Sequence, residues 1–103
     1  MFRTQRNARV HLVAAVAVVA AGQGLDLATG DWLWIVAAIV AVFAAEAFNT
    51  ALESLADAVH PETHPLIKRA KDAAAGAVLM TAIGAALIGC VVFWPYVSRL
   101  FLF

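Results

Sequence analysis

Glu46-Ala-Phe-Asn49-Thr-Ala-Leu-Glu53-Ser-Leu-Ala-Asp57 follows directly on the apolar run from Trp32 to Ala45, and that junction decides the fold. A helix advances about 100° per residue, so positions 46, 49, 53 and 57 fall within a wedge of roughly 80°. One face of the helix therefore carries three acids and an amide just where the apolar stretch ends. Such a helix leaves a membrane at this point, and charged groups at that boundary mark function.

The composition agrees. The 103 residues are 64% hydrophobic and 14% charged, with a mean hydropathy of +0.88, more apolar than a soluble domain of this size. Seven basic and seven acidic residues cancel, so no global field favours nucleic acid. Cys90 stands alone in an apolar segment and reads as a small packing residue rather than a nucleophile. The small residues around Ala20-Ala21-Gly22 resemble a leader-peptide cleavage site. Two further apolar segments follow, so the first is read as a retained span.

Three spans are expected: residues 10–28, residues 32–59 including a polar extension, and residues 73–96, with Pro95 suiting the end of the last. The third is long enough, at about 1.5 Å per residue, to cross a hydrocarbon layer of roughly 30 Å. Arg3, Arg6 and Arg9 precede the first span, and Lys68, Arg69 and Lys71 lie between the second and third, whereas the first loop carries Asp26 and Asp31. The positive-inside rule then puts the N-terminus and the 46–57 face in the cytoplasm and the C-terminus outside. Trp32 and Trp34, with Trp94 and Tyr96, suit an aromatic belt at the outer surface. The third span repeats small residues at Ala73, Ala77, Thr81, Ala85 and Gly89, which lets helices approach closely. Three spans make a thin bundle, so packing favours an oligomer of undetermined size; a compositionally biased genome would also give this alanine content.

Glu46 is the sharpest candidate for chemistry. A carboxylate at the inner end of a span is partly stripped of water, which suits a general base. A polar helix face emerging into water accounts for Glu53 and Asp57 but poorly for Glu46 and Asn49. Lys71-Asp72 is expected to open the third span, where free backbone N–H groups and a lysine attract a phosphate; topology and the helix dipole explain the pair equally well. No Walker A sequence is present, so a nucleotide would need carboxylate-held Mg²⁺ and basic side chains. His60 and His64 flank Pro61 and, on spacing alone, read as loop residues.

Glu46-x-x-Asn49-Thr-Ala-Leu-Glu53-x-x-x-Asp57, then His64-Pro-Leu-x-Lys-x-Ala-Lys71-Asp72-Ala-Ala-Ala-Gly76-Ala-Val, with Arg6-Asn7-x-Arg9-x-His11-Leu ahead of the first span, resembles the prokaryotic diacylglycerol kinase family over roughly Gln5 to Tyr96. The form around Lys71 is similar to its undecaprenol kinase branch. The resemblance implies an all-α integral membrane protein of the bacterial inner membrane, a homotrimer with three transmembrane helices per subunit and active sites shared between subunits. It implies phosphoryl transfer from MgATP to a lipid hydroxyl of undecaprenol or diacylglycerol. Glu46 matches the catalytic base and Glu53 a metal ligand. Asn49 and Asp57 match supporting positions of the site, Lys71 and Asp72 match nucleotide contacts, and Glu62-Thr-His64 matches a nucleotide-site segment, which reassigns His64.

The chain departs from that pattern twice. A second metal-binding glutamate is expected before the first span, and Gln5 stands there; its neutral carbonyl is a weaker Mg²⁺ ligand. Only nine residues precede the first span, where family members carry an amphipathic surface helix, so the chain is shortened or its start lies upstream. Two other functions remain in play. Gln5 favours a catalytically inactive relative serving as a membrane assembly subunit. A small proton-coupled transporter with Glu46 as its exchanging acid fits less well, because the acids gather at one side.

Overall fold

The computed structural model describes residues 2–102, and side chains from residue 8 to residue 102. Three helices follow in order, α1 (Phe2–Leu25), α2 (Thr29–Val59) and α3 (Pro65–Phe101), each long and apolar enough to cross a membrane. They form an elongated bundle of 59 × 21 × 18 Å. The α2–α3 hairpin makes most of the helix packing, and α1 lies chiefly against α2.

Each boundary has a local cause. Asp26 takes φ of 59°, a left-handed conformation that ends α1 and that short polar side chains tolerate. The Leu27 N–H then donates to the Gly22 carbonyl at 3.1 Å. Chain reversal is tight here: a Cβ on Gly22 would sit 2.7 Å from the Trp32 ring, so only glycine admits the indole. α2 ends at His60, followed by Pro61, which cannot continue a helix. α3 starts with Pro65, whose fixed φ suits a first helical position, and His64 caps it as its Nδ1 accepts from the Leu66 N–H at 3.1 Å.

Two expectations about α3 are corrected. Lys71 and Asp72 do not open the helix; they lie in its second turn, where backbone N–H groups are already bonded within it, as Lys68 N–H is to the His64 carbonyl at 2.9 Å. Pro95 does not end it either, since the helix runs through to Phe101 and the Ser98 hydroxyl donates to the Pro95 carbonyl at 3.1 Å. Proline is admitted inside spanning helices when neighbouring groups take up the freed backbone atoms.

The packed core sits near the α1–α2 turn: Leu27, Ile35 and Val92, flanked by Trp32, Ile88 and Tyr96 among others. Trp32 and Tyr96 thus share one end of the molecule. Most other large apolar side chains point outward, Phe48 at 78% and Val91 at 74% exposure, as a surface facing lipid or another subunit would. Cys90 is exposed on α3, so it is not packed within this chain.

Candidate functional site

The acidic face of α2 grades from interior to surface. Glu46 is 6% exposed, Asn49 and Glu53 are half-buried, and Asp57 is exposed. From Glu46 to Glu53 the helix rises about 10 Å, at about 1.5 Å per residue. The expected common face exists, and it leads from the apolar interior towards one end of the bundle.

Glu46 is the only buried charged residue among those described. Its Oε1 lies 3.5 Å from Nδ1 of His11 on α1, and neither atom has a hydrogen-bond partner among the described residues. The His11 ring meets Phe43 edge-on, 6.5 Å between centroids at 81°. One turn further, the Asn49 amide donates to Glu53 Oε1 at 3.3 Å, while Asn49 Oδ1 is buried without a partner. Thr50 donates its hydroxyl back to the Glu46 carbonyl at 3.0 Å. Buried polar atoms in native proteins are almost always paired, so three unpaired ones within a single turn of Glu46 mark a place where another molecule is expected.

Between this cluster and the core, the helices line a half-open apolar cavity of about 210 Å³, bordered by His11, Ala14, Ile39, Phe43, Ala85 and Gly89 among others. Small side chains from α3 leave the space open. The imidazole forms part of its wall.

The remaining candidates lie around the α2–α3 connection. Lys71 Nζ donates to Asp57 Oδ1 at 2.6 Å, and Lys68 Nζ to Asp72 Oδ2 at 2.8 Å. The structure therefore brings Lys71 to the acidic face, but pairs Asp72 with Lys68. His60 Nδ1 donates to the Glu62 carbonyl at 2.8 Å, and the rings of His60 and His64 meet at 5.3 Å. His64 is thus a helix cap, and the Glu62 side chain is exposed. Gln5 falls within α1, but its side chain lies outside the described residues.

For a metal ion, no three His, Cys, Asp or Glu side chains converge among the described residues. The oxygen set that is present, the Glu53 carboxylate beside the unpartnered Asn49 oxygen, fits Mg²⁺ carried in on nucleotide phosphates, because that ion needs only one or two protein carboxylates.

Sequence reasoning missed the approach of His11 to Glu46. Its depth was accessible: it lies sixteen positions before Leu27 in the turn, and Glu46 nineteen after it. Two antiparallel helices joined so tightly bring such positions to similar depth.

A family model for prokaryotic diacylglycerol kinases matches residues 1–93. The undecaprenol kinase of Bacillus subtilis (strain 168) is 42% identical over 93 residues, covering 90% of this chain and 76% of that relative. A diacylglycerol kinase of Synechocystis is 43% identical over 99 residues, 94% of this chain but only 57% of the relative. The diacylglycerol kinase of Escherichia coli (strain K12) is 30% identical over 84 residues, 82% of this chain and 69% of the relative. No solved structure matches the chain.

Proposed function

The chain belongs to the prokaryotic diacylglycerol kinase family, and on that premise we propose that it transfers the γ-phosphoryl group of ATP to the hydroxyl of a membrane lipid, undecaprenol or diacylglycerol. The observation that carries this reading is Glu46, a carboxyl 6% exposed between apolar helices. Burying such a group costs stability. A proton acceptor for a lipid hydroxyl has to sit at that depth, because the lipid arrives from within the bilayer.

In the reaction, Glu46 takes the hydroxyl proton as the lipid oxygen forms its bond to the γ-phosphorus. The bond from that phosphorus to the bridging oxygen breaks, and ADP leaves. Asn49 orients Glu53 through its 3.3 Å hydrogen bond. Lys71, held at Asp57 by a 2.6 Å contact, is within a side-chain rotation of the acidic face and neutralises phosphate charge. Asp57, Glu62, His64 and Asp72 complete the nucleotide side. Glu53, with Gln5 as a weaker neighbour, would hold Mg²⁺, which supplies charge neutralisation on the phosphates.

The same reading places this end of the bundle in the cytoplasm, where Arg9, Lys68, Arg69 and Lys71 gather. It makes the protein a homotrimer of the plasma membrane with sites completed between subunits, which would also cover the outward apolar faces. The test is purified protein in lipid micelles with labelled ATP and Mg²⁺, offered undecaprenol and diacylglycerol separately, beside Glu46→Gln. Transfer to one lipid, lost in the variant, is the expected result. Absence of transfer to either lipid at saturating Mg²⁺ would sink the reading and favour the inactive assembly subunit that Gln5 suggests.

A further inference from the structure

We infer that His11 is the positioning residue that fixes the Glu46 carboxylate, an inference that rests on the lipid-kinase reading for its consequence but not for its geometry. Glu46 reaches its place on a flexible side chain, and nothing on α2 restrains its Oε1. The backbone carbonyl of Glu46 is occupied by Thr50. From α3, the cavity beside His11 receives only Ala82, Ala85, Ala86 and Gly89, none of which has a side-chain donor. Among the described side chains, the His11 ring is the polar group that remains, at 3.5 Å, with side-chain exposures of 19% for His11 and 8% for Glu46.

An imidazole N–H at Nδ1 directed at Oε1 selects one rotamer of the carboxylate and leaves Oε2 for the lipid hydroxyl. The separation is longer than a formed hydrogen bond. Such contacts in an empty site tighten when substrate is bound. Phe43 braces the ring from the side at 81°, so the imidazole is itself oriented. His11 also lines the apolar cavity of about 210 Å³, so the carboxylate's restraint borders the apolar space.

His11→Asn keeps an N–H donor close to the Nδ1 position, whereas His11→Phe keeps the ring and removes the donor. Loss of a positioned donor beside a general base is expected to lower kcat about tenfold or more in His11→Phe, with KM for ATP and lipid within about twofold and His11→Asn within about threefold of the parent. Nitrogen NMR of the histidine rings in Glu46→Gln gives a second readout that needs no His11 variant to fold: the His11 Nδ1 resonance shifts relative to the parent. Unchanged kcat in His11→Phe, equal impairment of both variants, or an unmoved resonance would each overturn the inference. If the parent transfers phosphate to neither lipid, the kinase reading fails by itself, and the resonance still decides whether the pair exists.

Discussion

The two ends of the bundle treat buried polarity in opposite ways. Near the α1–α2 turn, the Tyr96 hydroxyl donates to Asp31 Oδ2 at 2.6 Å and accepts from the Ala28 N–H at 3.0 Å, above a core of Leu27, Ile35 and Val92. Arg99 lies over the Tyr96 ring, 5.6 Å from its centroid. No buried polar side-chain atom described there lacks a partner. Around Glu46, by contrast, alanines and a glycine of α3 line a cavity, and Oε1, the His11 Nδ1 and the Asn49 Oδ1 form no hydrogen bond among the described residues. One end is filled by its own side chains, and the other holds the site proposed for the reaction. On the proposed function, stability and chemistry occupy separate ends of the same helix pair.

If that division holds, substitutions at the two ends should separate cleanly in their effects. The largest is at Glu46: Glu46→Gln should lower lipid phosphorylation by about a thousandfold, the scale of a lost general base, while leaving the thermal midpoint in micelles unchanged or higher. Ile35, 2% exposed, gives the converse. Ile35→Ala should cost about 2–4 kcal/mol by denaturant titration, as core truncations do, with KM for ATP unmoved in the protein that remains folded. Tyr96→Phe removes two hydrogen bonds from the same end and should cost about 1–2 kcal/mol, with transfer rates within experimental error of the parent. The smallest effect should come from Asp26→Gly, which relieves a left-handed backbone and should gain about 0.5–1 kcal/mol. A variant near the turn that abolishes transfer without unfolding would break the comparison.

The spans and the acidic face were legible in the chain because both rest on periodicity. Apolar runs of sufficient length identify spanning helices whatever their neighbours do, and spacing of 46, 49, 53 and 57 requires only a regular helix. The start of α3 was misplaced because the span was measured by apolarity, and apolarity fails at Lys71 and Lys68. The correct signal was present in His64-Pro65, an acceptor side chain followed by a proline suited to a first turn. Lys71 meeting Asp57 follows from that earlier start, which folds α3 back alongside the end of α2. The His11–Glu46 and Tyr96–Asp31 contacts were not legible, since each joins different helices and depends on how they are set against one another.

The turn at residues 26–28 has a consequence for how this chain tolerates change. Because Gly22 admits the Trp32 ring at its only available approach and Leu27 plugs the core, the length of this connection is a gauge that fixes the azimuth of α1. One residue inserted inside α1 between His11 and Gly22 would turn the preceding segment by about 100° and displace it by about 1.5 Å, sending the imidazole away from Glu46 while the core at the turn stays intact. Lineages of this protein should therefore accept point replacements along the outward face of α1 far more readily than a single insertion or deletion within it.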